Sequence, residues 1–141
     1  MDSNQLVSWK LVLLGRKIRN RRNRFVRHLN LTSEQADALR FFGDFPHSTI
    51  TDFKDRQQVT HQTARLIVKR MVDRNLLVLE ANPADRREKL VGFTEAGLVK
   101  RHQLDDYIKD TSQALFTGFT TAEQQAVLTM LDRIEQNLER N

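Results

Sequence analysis

The residues with the clearest capacity for chemistry form two groups of hydrogen-bond donors separated by a short β-compatible stretch. One group follows Thr60 in the order Thr-His-Gln-Thr-Ala-Arg-Leu-Ile-Val-Lys-Arg, and the other is the polar segment 82–87, Asn-Pro-Ala-Asp-Arg-Arg. Gln can pair bidentately with adenine, Arg can fork onto guanine, and Thr can donate, accept or offer a methyl group to a base. Arginines at a hairpin tip suit a narrow minor groove. The two groups therefore favour a surface that reads duplex DNA.

The overall composition favours a polyanionic partner. The 141-residue chain has 23 Lys and Arg against 18 Asp and Glu, and its pI is close to 10.0. It has no cysteine, which excludes disulfides, zinc fingers, thiolate catalysis and cysteine redox sensing. The longest apolar run, Leu11–Leu14, is too short for a membrane span or a signal peptide, so we expect a cytoplasmic protein without membrane contact.

Hydrophobic periodicity and capping residues predict three helices in the first part of the chain. A long amphipathic helix is expected over Asp2–His28. The Thr32–Gln35 capping box starts a second helix, which ends near Phe45 because Pro46 follows. A short helix is predicted over Thr51–Gln57.

The following stretch changes from a helical period to short β-compatible runs. Thr60 is the predicted N-cap of a helix that reaches about Arg74, and Asn75 suits the left-handed conformation after it. Strands are predicted over Leu76–Glu80 and Lys89–Phe93, joined by a polar hairpin.

Two more helices complete the chain. Thr94 is expected to cap a fifth helix that reaches about Leu115, and Thr120 or Thr121 to cap a sixth. The predicted fold is mainly α with a small β wing: a winged helix-turn-helix core flanked by long N- and C-terminal dimerisation helices.

This order predicts one structural unit with three parts. Residues 1–30 form an N-terminal dimerisation helix, residues 31–98 the winged helix-turn-helix DNA-binding core, and residues 99–141 the C-terminal dimerisation helices. The terminal helices carry apolar stripes that must be buried, and packing them within one chain and across a two-fold axis predicts a homodimer.

Two stretches carry a resemblance to a known family. Residues 82–97 are similar to an Asp-x-Arg wing followed by a short strand and Leu-Thr-x-x-Gly, and residues 59–64 are similar to Val-Ser/Thr-x-x-Thr-Val. On these motifs nearly the whole chain resembles the MarR family of bacterial transcription regulators. The resemblance implies a sequence-specific, double-stranded DNA-binding regulator, specifically a repressor that acts as a homodimer on a pseudo-palindromic operator.

The chain departs from the family pattern at several positions. Phe93 replaces the usual Leu of the Leu-Thr pair, and Leu79 stands where many members have Arg. Lys54 and Gln57 occupy positions that are usually small or apolar, and Gln58 stands where Gly is common. The short helix before the one capped by Thr60, which is the predicted recognition helix, is therefore unusually polar.

The predicted recognition helix has two distinct faces. At about 100° per residue, Ala64, Ile67, Val68 and Met71 share the arc that faces the core. His61 lies in the first turn but nearer to the core side. The predicted DNA-binding residues of this helix are Thr60, His61, Gln62, Thr63, Arg65, Leu66, Lys69 and Arg70.

The wing supplies the remaining predicted site residues. Arg87 fills the Arg of the family's Asp-x-Arg motif and is expected to enter the minor groove. The resemblance implies that Asp85 orients Arg87 without touching DNA, and Arg86 and Lys89 would then contact phosphates.

A basic run, Arg16–Arg27, has two interpretations. Its seven cations could contact flanking phosphates or could coat the dimerisation helix. Like charges four residues apart, such as Lys17 and Arg21, destabilise an isolated helix, so we expect acidic partners elsewhere.

No enzyme is predicted. The four histidines form no His-x-x-x-His pair, and His102 with Asp105 and Asp106 is interpreted as a surface polar cluster; no catalytic residue, metal or cofactor is expected. The alternative function is a winged-helix protein-interaction module without specific DNA readout; RNA binding is disfavoured because aromatic platforms are not evident. The resemblance also implies a small-molecule effector, often an aromatic or phenolic acid, although no residues identify its site.

Overall fold

The computed structural model describes residues 1–140 and has the predicted element order, mainly α with one antiparallel two-stranded wing. Its elements are α1 Ser3–His28, α2 Ser33–Asp44, α3 Ile50–Gln57, α4 His61–Asp73, β1 Leu77–Glu80, β2 Leu90–Phe93, α5 Glu95–Leu115 and α6 Thr121–Arg140. The chain divides into two compact units, the first covering Met1–Leu104 and the second starting at Asp105. None of the described helices is long and apolar enough to cross a membrane.

Side-chain caps fix where the helices begin. The amide N–H of Gln35 donates to Thr32 Oγ1 (3.1 Å), and Gln35 Oε1 accepts from the Thr32 amide (3.2 Å), which confirms the predicted capping box. At α6 the cap is Thr120, whose amide donates to Glu123 Oε1 (2.9 Å). Hydrogen bonds from the backbone and hydroxyl of Thr120 lower the pKa of the Glu123 carboxyl, so this cap is present at neutral pH and is lost as pH falls through that lowered pKa.

The third helix starts one residue earlier than the sequence predicts. Thr49 is its N-cap, and the Thr49 amide donates to Asp52 Oδ2 (2.9 Å), so α3 begins at Ile50 instead of Thr51. This second capping box uses Asp where the usual sequence signature has Glu or Gln.

An aromatic cluster joins α2 to α3. The ring of Phe53 lies 5.5 Å from that of Phe41 and 5.2 Å from that of Phe42, between ring centroids. Phe53 is 1% exposed and is the buried residue of α3. The polar helix therefore packs mainly through one aromatic side chain, with Ile50 partly buried against the core beside it.

The Thr-x-x-Gly motif after the wing has a steric explanation. Thr94 Oγ1 donates to the carbonyl of Asn75 (2.6 Å) and accepts from the Gly97 amide (3.0 Å). A Cβ on Gly97 would lie 1.9 Å from the carbonyl oxygen of Leu76, so no larger residue fits. The motif thus fastens the start of α5 to the end of the α4–β1 connection.

A third segment extends the edge of the wing sheet. β1 and β2 pair with Leu77 opposite Phe93 and Glu80 opposite Leu90. On the other edge of β2, the Val91 amide donates to the Ser48 carbonyl (2.9 Å), and Thr49 forms a bridge to Leu90. The base of the wing is therefore tied to the residue that caps α3.

Replacing Gln58 by glycine is expected to stabilise the protein. Gln58 has φ 54°, in the left-handed region, and lies at the C-cap of α3. Relieving this conformation should raise the free energy of unfolding of Gln58→Gly by about 0.5–1 kcal/mol, measured by chemical denaturation. Asp55→Gly inside α3 is the matched control and should lower it by roughly 0.5 kcal/mol. A loss of stability in Gln58→Gly would contradict this account.

Candidate nucleic-acid interface

The outward face of α4 is continuous and chemically mixed. The core side is formed by Ala64, Val68 and Met71, which are buried at 0–1% exposure. The predicted DNA-contacting residues of this helix are all exposed: Thr60, His61, Gln62, Thr63, Arg65, Leu66, Lys69 and Arg70. His61, which helical angles place nearer to the core side, is also exposed.

Hydrogen bonds within α4 determine which donors, acceptors and charges its outer face presents to a partner. Thr60 Oγ1 accepts from the Thr63 amide (3.1 Å) and donates to Thr63 Oγ1 (2.9 Å), so the Thr63 hydroxyl keeps its own proton for an external acceptor. Lys69 forms an exposed ion pair with Asp73 (2.9 Å). Arg65 and Arg70 have no carboxylate within ion-pair distance in residues 1–140 and keep their full charge for a partner.

A groove runs along α4 towards the wing strands. Its volume is about 720 Å³, and Ile50 of α3 and Leu79 of β1 contribute to its walls. The α4 residues that line it are His61, Gln62, Arg65, Leu66, Val68, Lys69 and Val72. Leu79, which stands where the family pattern described above often has Arg, forms an apolar wall beside the outward face of α4.

The wing tip is shaped by two short side-chain-to-backbone turns. Asn82 Oδ1 accepts from the Ala84 amide (3.0 Å), and Asp85 Oδ1 accepts from the Arg87 amide (3.0 Å). The same Asp85 oxygen accepts from Arg87 Nε (3.3 Å), while the Arg87 side chain is 92% exposed. An exposed pair of this kind adds little stability, so the contact serves to direct the guanidinium outward.

The other two wing cations are also exposed. Arg86 and Lys89 flank the turn and make no ion pair within residues 1–140. With Arg87 they place three cations around one hairpin tip.

A contact missed by the sequence analysis anchors the wing to α3. The hydroxyl of Thr51 donates to the Glu88 carboxylate, across 37 residues of sequence. No local pattern signals such a contact, because neither residue type nor spacing distinguishes Glu88 from the other charged wing residues. It fixes the C-terminal arm of the hairpin against the first turn of α3.

Metal-ligating groups do not cluster in the structure. Among residues 1–140, no group of three or more His, Asp or Glu side chains is arranged to hold a metal ion.

Removing the Thr51 hydroxyl is expected to loosen the wing without unfolding the core. Thr51→Val keeps the side-chain shape but leaves Glu88 without its donor, so amide hydrogen exchange over residues 82–89 should accelerate roughly several-fold. Thr51→Ser retains the hydroxyl and is the control that should exchange like the native chain. Equal exchange in both variants would show that the contact does not hold the wing.

Comparisons with known proteins agree with this architecture. The model of the MarR family matches residues 29–88. The HTH-type transcriptional repressor IacR of Pseudomonas putida is 26% identical over 131 residues, which cover 93% of this chain and 78% of that protein.

Solved structures of the same fold cover nearly the whole chain. Staphylococcus aureus MarR in complex with salicylate and kanamycin superimposes with a TM-score of 0.84 at 17% identity, covering 98% of this chain and 93% of that one. The S. aureus MepR–DNA complex gives 0.77 at 16% identity, covering 93% and 96%. At these identities the structural likeness establishes the fold.

Proposed function

We propose that this chain is a transcriptional regulator of the MarR family, whose model matches residues 29–88, and that it is a repressor that binds a pseudo-palindromic operator as a homodimer. The observation that carries the proposal is the exposed, mixed face of α4 beside a wing whose tip presents Arg87. Both features belong to the first compact unit, and Leu79 of the wing strand shares a groove with α4.

In the proposed complex α4 lies in the major groove and supplies the base contacts. Gln62 is suited to adenine, Arg65 to guanine, and the exposed Leu66 to thymine methyl groups. The other predicted residues of the helix contact bases or phosphates at the groove edge, namely Thr60, His61, Thr63, Lys69 and Arg70. Each well-formed bidentate contact would contribute about 1–3 kcal/mol of discrimination.

The wing would hold the adjacent minor groove. Arg87 inserts its guanidinium, Asp85 keeps it directed by accepting from its amide and Nε, and Arg86 and Lys89 bind phosphates. The anchor between Thr51 and Glu88 fixes the hairpin relative to the helix-turn-helix, so the two grooves are read in one register.

Removing the Arg87 guanidinium should weaken operator binding at least roughly tenfold with the fold intact. The operator is first selected from random duplexes, and affinity is then measured by gel shift at fixed salt. Asp85→Asn should reduce operator affinity less than Arg87→Ala does. The double variant should bind the operator no more weakly than Arg87→Ala, because Asp85 acts through Arg87.

Two outcomes would contradict the proposed function. Unchanged operator affinity in Arg87→Ala would show that the wing is not part of the DNA interface. Failure of the native protein to select any duplex would favour the alternative, a winged-helix protein-interaction module without specific DNA readout.

Exposed apolar stripes support the homodimer. The helix α6 buries none of its described residues within the chain, and Leu128, Leu131 and Leu138 are 52%, 43% and 71% exposed. Trp9 and Leu14 of α1 are also nearly half exposed. Apolar stripes on both terminal helices are expected to be covered by a second copy, which would present two recognition helices to a two-fold operator.

Charge placed in the α6 stripe should dissociate the dimer. Leu131→Lys would bury an ammonium in the proposed interface, so sedimentation should show a monomer at micromolar concentration. Thr129→Lys, about 160° around α6 from Leu131 and exposed, is the matched control and should leave the assembly unchanged. A Leu131→Lys variant that sediments like the native protein would argue against this interface.

We also propose release from DNA by a small-molecule effector. S. aureus MarR has been solved with salicylate, and the groove along α4 in this chain combines apolar walls with Arg65 and Lys69. A small aromatic acid would fit that composition. Because the groove shares its lining with the proposed base-contacting face, occupancy and DNA binding would be mutually exclusive.

A further inference from the structure

The excess positive charge of the chain lies in α1 and not on the proposed DNA-reading surface. Residues 1–28 contain eight Lys and Arg and a single acidic residue, Asp2, whereas the rest of the chain contains 15 basic and 17 acidic residues. The formal net charge of +5 is therefore supplied by the first helix. A strong positive field on a helix other than the recognition helix requires its own explanation.

Most of these cations share one face of α1. At about 100° per residue they fall within an arc of roughly 140°, and from position 16 to position 28 the arc contains no apolar residue. Phe25 and Val26 lie outside it, towards the core. We call this set the basic face; all its members are exposed, and they are Arg16, Lys17, Arg21, Arg24 and Arg27.

The structure does not neutralise the basic face. The expected acidic partners are present only for Arg22, outside the face, which pairs with Asp37 (2.6 Å); no other cation of the run has an ion pair within residues 1–140. Arg16 lies over the ring of Trp9 (5.8 Å to the centroid) and remains exposed. The repulsion between neighbouring cations of α1 is therefore not relieved within the described residues. A bound polyanion would relieve it.

A groove adjoins the basic face where α1 meets α2. Its volume is about 560 Å³, and Asn20, Asn23, Arg24 and Arg27 are among the residues that line it. The Ser33 hydroxyl donates to Asn23 Oδ1 (2.8 Å), so the Asn23 amide N–H groups remain to donate outward. Guanidinium and amide donors without a nearby carboxylate suit a phosphate oxygen.

The position of this groove indicates which phosphates it can reach. Arg74, the C-cap of α4, donates to Gln35 in the first turn of α2 (2.7 Å), so the groove lies towards the end of α4 opposite Thr60. A 13-residue helix is about 20 Å long, so the groove lies roughly that far from the first turn of α4, whose residues reach base edges in this motif. The phosphates in reach of α1 are therefore not those beside the first turn of α4.

We propose that the basic face of α1 binds the phosphate backbone of duplex DNA flanking the operator. This inference rests on the proposed function and extends it. The helix α4 and the wing supply sequence specificity, and α1 supplies an electrostatic attraction to phosphates that does not depend on sequence. A phosphate backbone fits the observations better than an anionic membrane, because a surface-binding helix inserts the apolar side chains opposite its cations, whereas Phe25 and Val26 behind the basic face pack against the core of the chain.

The test compares two triple variants on two duplexes. Lys17→Gln/Arg24→Gln/Arg27→Gln removes three members of the basic face, while Arg40→Gln/Lys109→Gln/Arg140→Gln removes three exposed cations elsewhere. One duplex is the selected operator alone, and the other carries about 15 further base pairs on each side. Circular dichroism and thermal melting confirm folding, because the basic-face variant loses repulsion along the helix but also loses one cation, Arg27, from the last turn of α1.

The basic-face variant should bind the long duplex roughly tenfold more weakly at about 0.1 M salt, with a log–log salt slope reduced by about one for each lost phosphate contact. On the short duplex both variants should bind like the native protein. Equal affinity for the long duplex, or an equal loss in both variants or on both duplexes, would overturn the proposal. So would unchanged DNA binding accompanied by lost binding to phosphatidylserine vesicles.

The result is separable from that of the proposed function. If the native protein selects no operator, the proposed function fails, and the same two variants are then compared on a long random-sequence duplex. If the native protein selects an operator but the basic-face variant keeps its long-duplex affinity and slope, only the inference about α1 fails.

Discussion

The burial of Phe53 against Phe41 and Phe42 is the contact on which the proposed DNA-reading surface depends. The helix that carries Phe53 has eight residues, too few to be stable in isolation, and this ring is its buried side chain. The same helix supports α4 through the tight left-handed turn at Gln58 and supports the wing through the Ser48–Thr49 edge. Removing the ring would therefore disturb both parts of the surface at once.

The wing shows how hydrogen bonds can provide direction where they provide little stability. Exposed hydrogen bonds and ion pairs such as those of Asp85 with Arg87 contribute little in water. Their effect is to limit the conformations of a 92% exposed guanidinium before any partner arrives. Ordering the side chain in advance lowers the entropic cost of binding, and the contact from Thr51 to Glu88 extends this ordering to the arm of the hairpin.

The excess charge and the proposed base-reading face lie on different elements. The α4 face is chemically mixed, with one apolar side chain, Leu66, between polar and cationic neighbours. The first helix has almost no acidic residues and carries the excess charge of the chain. In the proposed complex, this division separates two contributions to the binding free energy, one that depends on base identity and one that depends on ionic strength. It also means that the net charge of the chain is a poor guide to which surface reads sequence.

Much of the fold was determined by local sequence. The helix ends follow from capping residues such as Thr32, Thr60 and Thr94, whose hydroxyls bond amides three residues away, and the left-handed Asn75 follows from its residue type. The outward face of α4 follows from helical periodicity alone. These features could be predicted because each depends on residues within one or two turns of one another.

The tertiary structure decided what connects distant parts of the chain. The tie from Thr51 to Glu88, the edge pairing of Ser48 with Val91, and the closure of the α4 groove by Leu79 join residues far apart in sequence. Their formation depends on how α3, α4 and the wing pack, and no short-range pattern encodes that packing. The arginines of the wing and of α1 could be identified from the sequence. Only the folded chain showed that Arg87 is held by Asp85, while the basic face of α1 is left without acidic partners among the described residues.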